Sequence, residues 1–137
     1  MQIREAAEAS GLSADTIRYY EKIGIIRPIS RDSGGQRQFS AEDIAWMGVL
    51  NCLRNTGMPM KALSRYAELV EAGDHTVSER KQILRDHAKL LAQRRAELDQ
   101  CDALLAHKLE IYDEVEAGRG RPKSERLPPE TAQAQQA

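Results

Sequence analysis

Aromatic side chains are scarce in this chain: one Trp, one Phe and four Tyr make up 4% of 137 residues, whereas 30% of residues are charged. A chain so composed buries a modest core, and self-association is the expected source of further stability. Its length leaves room for one small domain with an extension, not for two large domains. No run of about 18 apolar residues occurs, which excludes a membrane-spanning helix. The opening Met1-Gln-Ile-Arg lacks the basic and then apolar pattern of a secretory signal, so a cytoplasmic location is expected. Cysteine is nearly absent as well. Cys52 and Cys101 are too few and too far apart for a disulfide framework, and both are expected to be free thiols. There is no Cys-x-x-Cys, no nucleophile in a recognisable His/Asp arrangement and no strand-to-helix phosphate loop, so neither an enzyme nor a cofactor is expected. The formal net charge of −1 is not that of a nonspecific polyanion binder. Any contact with nucleic acid must come from a local basic patch.

What is present changes character every ten residues or so. Residues 3–9 read as a short helix broken at Ser10-Gly11-Leu12-Ser13. Ser13 is suited to cap a second helix from Ala14 to about Ile23, with Asp15 in its first turn and Gly24 at its end. Two short extended runs, Ile25 to Ser30 and Gln36 to Phe39, flank Arg31-Asp-Ser-Gly-Gly35, and this pattern predicts a hairpin. Ser40-Ala-Glu-Asp43 resembles a capping box opening a third helix, Ala41 to about Asn55. Trp46, Val49, Leu50 and Leu53 predict its buried stripe. Pro59 suits the first turn of a fourth helix that carries Leu63, Tyr66, Ala67 and Val70 and closes at Gly73.

From Thr76-Val-Ser-Glu79, a second capping-box pattern, neither Gly nor Pro appears until after Glu116. Val77, Leu84, Leu91, Leu98, Leu105 and Tyr112 recur every seventh residue. A helix of about forty residues is roughly 60 Å long, more than the amino-terminal part can cover, so its stripe calls for a coiled-coil partner, most simply a second copy. His87, Arg94, Cys101 and Lys108 make the companion positions polar, so the seam is imperfect. Ile83, Leu90, Leu104 and Ile111 widen the stripe and are candidates to pack on the globular domain. From Gly118 onward the Gly, Arg and Pro residues and a Gln/Ala run predict a disordered tail.

Ala7, Gly11 and Ile17 have the spacing of a helix-turn-helix: a small residue at the close approach, a turn glycine and an apolar anchor. Ile17 and Tyr20 then point inward, leaving Thr16, Arg18, Tyr19 and Lys22 on or near the outer face of the second helix. Hydroxyls and cations on one face are donors for phosphates and base edges. Arg31 and Arg37 of the hairpin add further cations.

Thr16-Ile-Arg-Tyr-Tyr-Glu21, Gly24-Ile-Ile, Gly35-Gln-Arg-Gln-Phe-Ser40, Glu42-Asp-Ile44 and Asn55-Thr-Gly-Met58 resemble the MerR family of bacterial regulators, and the likeness runs from Met1 to about Glu116. The resemblance implies a mainly α fold: a winged helix-turn-helix DNA-binding domain over 1–73, a dimerisation helix over 74–117 forming an antiparallel coiled coil, and the tail over 118–137. It implies a homodimer that binds double-stranded promoter DNA and distorts an overlong spacer so that RNA polymerase can engage. Carried over by position, Arg18 and Tyr19 would contact DNA with Thr16, Tyr20 and Lys22 in support, Arg31 and Arg37 from the first wing and Lys61 from a second. Where the family's wing often reads Gly-Tyr-Arg, Gln36 replaces the tyrosine and takes an aromatic backbone contact out of the expected set.

Metal-sensing members have cysteines at the start of the long helix and in a loop after it; here Asp74, His75 and Thr76 take the first place and no cysteine follows Cys101. No metal site is expected, and His75 and His87 are expected at the surface or the seam. Drug-binding members carry an additional effector domain, where this chain has only its tail. Cys52, in Asn51-Cys-Leu-Arg-Asn-Thr-Gly-Met58, resembles the sensing position of the thiol-based, aldehyde- or electrophile-responsive branch; the other reading is a small core thiol beside Leu53. Cys101 faces the seam, and in an antiparallel pair its two copies would lie roughly 15 Å apart along the axis, so structural packing is expected of it rather than a disulfide. The alternatives to an electrophile-responsive regulator are a metal- or small-molecule-responsive regulator of the same fold, or a coiled-coil interaction protein that does not bind DNA.

Overall fold

The computed structural model describes residues 1–119; the expected tail, beyond Gly118 and Arg119, lies outside the described residues. The elements of the described residues are α1 (Ile3–Ser10), α2 (Ala14–Lys22), α3 (Ala41–Asn55), α4 (Met60–Ala72) and α5 (Val77–Glu116), with a 3-10 turn, Asp74–Thr76, ahead of α5. Packing separates a first unit, Met1–Lys89, from a second that begins at Leu90. The opening turns of α5 therefore pack with the head, where Ile83 was expected to contribute. Ile83 packs against the core and His87 is 7% exposed.

The core of the head forms where α1, α2 and α3 converge. Ala6, Ile17, Met47, Leu50 and Leu63 are completely enclosed, with Ile26 and Met58 nearly so. Ala6 is the fully enclosed small residue of α1, and the expected Ala7 lies half-buried beside it. Gly11 turns the chain with φ of 83°, and a Cβ there would stand 2.5 Å from Asn51 Nδ2 of α3. Both conditions demand glycine at this turn.

Local chemistry starts the helices as expected at two places. Ser13 Oγ accepts from the Thr16 amide at 3.0 Å. Ser40 and Asp43 exchange backbone-to-side-chain bonds of 3.1 and 2.9 Å, completing the capping box of α3. The box expected at Thr76 does not form. Its hydroxyl turns back to the carbonyls of Leu69 (2.6 Å) and Gly73 (2.7 Å), and Glu79 pairs instead with Arg65.

Two other expectations need correction. The buried stripe of α3 is Asp43, Met47, Leu50 and Leu53; Val49 is 41% exposed and Trp46 only half-buried. Both stripes have helical period, and the burial of Met47 decides between them. The predicted hairpin runs also fail to become strands among the described residues. A single antiparallel bridge joins Arg31 and Arg37, framed by Asp32 N–H to Gln36 O (2.8 Å) and Gln38 N–H to Ser30 O (2.7 Å). Pro28 has no N–H to offer a ladder, and the Ile29 amide is taken by a side chain, Glu21. What remains is a tight wing rather than a sheet.

In the second unit α5 continues to Glu116, and Leu98, Leu104, Leu105, Leu109, Tyr112 and Val115 are all exposed. Cys101 is exposed too, on the single chain. Among the described residues no helix is long and apolar enough to cross a membrane.

Candidate nucleic-acid interface

The second helix of the helix-turn-helix divides its side chains sharply. Ile17 and Tyr20 face the core, at 0% and 4% exposure, while Tyr19 is 54% exposed. Arg18 and Lys22 are exposed beside it, and Thr16 is half-buried, with its hydroxyl 2.9 Å from Ser13 Oγ. Tyr20, expected in a supporting place, is mostly enclosed; its hydroxyl lies 4.0 Å from Met60 Sδ of α4, and it lines the hollow between α2 and α4. Arg18 leans on Asp15 at 3.1 Å, an exposed pair of the kind that contributes little and exchanges readily.

The wing is fixed to this helix by Glu21. One carboxylate oxygen accepts the Ile29 amide at 2.8 Å and the other accepts Arg37 Nε at 2.8 Å. Arg37 is thus half-buried and committed to an ion pair whose side chains are 21% and 16% exposed. It anchors the wing through its Nε. Arg31 is exposed, its guanidinium donating to Gly35 O at 2.7 Å, and remains close to the wing tip. Burial by itself raises the Glu21 carboxyl, but the Ile29 amide and the Arg37 guanidinium outweigh it, and the pKa falls below the ordinary value. Asp43 is likewise held low against its burial, by Ser40 and Arg27.

Lys61 meets the recognition helix across a hollow of about 440 Å³ whose lining includes Thr16, Tyr19, Ile23, Arg54, Lys61 and Ser64. Arg54 and Ser64 were missed in the sequence. Arg54 is the last basic residue of α3, and its guanidinium donates to Met58 O at 3.0 Å, which ties it to the turn before α4. The N-cap of α4 is Pro59, which supplies no side-chain hydrogen bond. The first amides of α4 therefore add their positive end to Lys61. Arg18, Lys22, Arg31, Arg54 and Lys61 account for the local positive charge that a net of −1 conceals.

Cys52 lies on α3 and is exposed, whereas Leu53 next to it is buried. The core-thiol alternative is thereby set aside. Among the described residues no group of three or more His, Cys, Asp or Glu stands together as a metal would need.

An enclosed helix-turn-helix, a short wing and a basic recognition face define a DNA-binding regulator. Residues 1–69 match the MerR HTH family regulatory protein family. The chain belongs to the MerR family. It is 39% identical over 130 residues to an HTH-type transcriptional regulator of Haemophilus influenzae, covering 93% of this chain and 96% of that one. It is 42% identical over 93 residues to the HTH-type transcriptional regulator AdhR of Bacillus subtilis, covering 68% and 66%. Its fold superposes with a TM-score of 0.83, at 37% identity and over 93% and 96% of the two chains, on HiNmlR, a MerR family regulator lacking the sensor domain and solved bound to promoter DNA. The protein is a MerR-family DNA-binding transcriptional regulator, and its relatives are regulators rather than enzymes.

Replacing Arg18 or Lys61 by Ala is expected to weaken promoter binding and to reduce the salt slope of log K by about 1 for each lost phosphate contact, whereas Tyr20→Phe leaves both near wild type; a salt titration by fluorescence anisotropy measures this. The Glu21 carboxyl has a folded pKa below its unfolded one, so its stabilisation is complete above the unfolded value and is lost as pH falls through the folded value. Melting curves are expected to drop on acidification below the ordinary glutamate pKa of 4.5. Arg37→Ala is expected to cost about 1–2 kcal/mol at neutral pH and to flatten that acid dependence.

Proposed function

We propose that the protein acts as a homodimer on a two-fold promoter site, distorting an overlong spacer so that RNA polymerase engages, and that an electrophile acting on Cys52 sets its activity. The observation that carries this reading is the single outward face shared by Arg18, Tyr19, Lys22 and Lys61, one face per chain. Arg18 and Tyr19 reach the duplex, Thr16 and Lys22 support them, and Arg31 and Lys61 grip the backbone on either side. Arg37 acts through the wing it braces. Binding in this way reads DNA deformability as well as base edges. A regulator that meets promoter DNA works in the bacterial cytoplasm.

Dimerisation uses Leu84, Leu91, Leu98, Leu105 and Tyr112 of α5 as an antiparallel coiled coil. Support comes from exposures of 38% at Leu84, 67% at Leu98, 56% at Leu105 and 44% at Tyr112. Apolar side chains repeated at this spacing and left in water favour a partner helix. In function the helix after residue 73 is the dimerisation element, although its first turns pack with the head. The sedimentation mass is expected to be that of two chains. Leu98→Glu with Leu105→Glu is expected to halve that mass and abolish promoter binding; a double variant that stays dimeric removes the stripe from the interface.

Cys52 is the sensing thiol because it is exposed on α3 within the DNA-binding head. Its sulfur adds to an aldehyde carbonyl: the S–C bond forms, the C=O π bond opens and the thiol proton ends on oxygen. The likeness to HiNmlR, described as lacking the sensor domain, supports input through the head itself. Transcription from the regulator's own promoter is expected to change severalfold on exposure to formaldehyde and to lose that change in Cys52→Ser. A full response in the variant rules the thiol out.

A further inference from the structure

An acidic residue stands in the wing of this DNA-binding head. Asp32 is exposed and follows Arg31 directly in the chain. A carboxylate in that place repels phosphates and opposes the cation beside it. Its bonds within the wing are extensive. Oδ1 accepts the Gly34 amide at 2.9 Å and the Gln36 amide at 3.0 Å, and Oδ2 accepts the Gln38 carboxamide at 3.1 Å. The Asp32 carbonyl takes the Gly35 amide at 3.0 Å, and its own amide donates to Gln36 O at 2.8 Å. The Gln36 amide, with the Gln38 side chain and the Gly34 amide, holds the carboxyl below its ordinary pKa. The acceptor is therefore ionised at neutral pH.

One of these bonds leads to Arg31. The Gly35 C=O and the Gln36 N–H belong to a single peptide group, planar and trans, so they point in opposite directions. Asp32 Oδ1 holds the N–H end, and the C=O end accepts the Arg31 guanidinium at 2.7 Å. Beyond this peptide Gln36 is tethered, since its side-chain oxygen accepts from Gln2 at the start of α1. Before it stand two glycines, and Gly35 has φ of 81°, a region where the backbone meets little steric restraint of its own. The carboxylate supplies the hold that the glycines lack.

Resting on the contact of Arg31 with the DNA backbone proposed above, we propose that Asp32 is the positioning residue of the wing: through the Gly35–Gln36 peptide, its carboxylate sets where the Arg31 guanidinium stands when the wing meets DNA. Asp32 itself touches no phosphate. Its oxygens act for binding and its charge acts against it, which makes the role separable. Were Asp32 only a negative charge near the duplex, any neutral substitute would tighten binding. With Arg31 oriented by the Asp32 acceptor, Ala loses more than the removed repulsion returns. Asn sheds the charge but keeps a side-chain oxygen for the Gly34 and Gln36 amides.

The test titrates the full chain against a fluorescein-labelled fragment of the regulator's own promoter, by anisotropy over a range of salt. Arg31→Ala is expected to lower the salt slope of log K by about 1. Asp32→Ala is expected to bind at least about threefold more weakly than the parent at roughly physiological salt, with the same fall in slope. Added to Arg31→Ala, it is expected to weaken binding no further, because both changes remove one contact. Asp32→Asn is expected to keep the parent slope and to bind as tightly or more so. Melting curves check folding. Should Asp32→Ala not fold, Asp32→Leu, of similar shape and without an acceptor, replaces it; failure of both to fold overturns the positioning role in favour of a purely structural one. Asp32→Ala binding as tightly as the parent with the full slope overturns it too, as does an equal loss in Asp32→Asn or a further loss on top of Arg31→Ala. Arg31→Ala with unchanged affinity and slope overturns the wing contact itself, and the role of Asp32 falls with it.

Discussion

Glu21 is the residue on which the geometry of the DNA-binding face depends. It stands near the end of the helix that presents Arg18, Tyr19 and Lys22, and its two oxygens reach separate points of the wing, the Ile29 amide and the Arg37 guanidinium. The Tyr20 carbonyl, one residue earlier, accepts the amides of Ile25 (2.9 Å) and Ile26 (3.1 Å). Recognition helix and wing are thus bonded to each other through side chain and backbone. Their relative position does not rely on a sheet, and with one bridge between Arg31 and Arg37 no sheet is available to supply it. A buried carboxylate would be a poor choice without such partners. With them it stays ionised and directs both groups.

Helix order and the recognition face were legible because they rest on local rules. Ser13 and Ser40 cap, Gly11 turns, and Ile17 points inward whatever lies beyond them. The misreadings arose where a distant partner decides. Arg37 looks like a free cation until Glu21, sixteen residues away, claims it. Met47 rather than Val49 faces inward because α1 and α4 pack against α3 and enclose it in the core. Thr76 has the sequence of a cap, yet its hydroxyl is nearer to carbonyls of the preceding helix and turn. Arg54 and Ser64 carry no local signature, since only the approach of α4 to α2 makes them part of one hollow.

The long helix shows the same contrast along its own length. Its heptad pattern predicted a continuous helix, and one is observed over Val77–Glu116. The apolar residues that widen the stripe, Ile83 among them, already pointed to packing on the head. His87 occupies a companion position of the heptad, where a polar residue suggests solvent or seam, but burial there comes from Thr56, far away in sequence. The head and the start of the helix are consequently one packed unit.

The ion pair between Asp15 and Arg18 bears on discrimination. In the unbound protein an acidic neighbour occupies the guanidinium, so a lone phosphate offers Arg18 an exchange of one anion for another. A guanine edge offers two acceptors in the plane of the fork, which a single carboxylate oxygen at 3.1 Å does not match. Any anion that takes Arg18 must displace Asp15 from an exposed pair of the kind that exchanges readily. An aspartate in the first turn of the helix also stabilises that helix by its position.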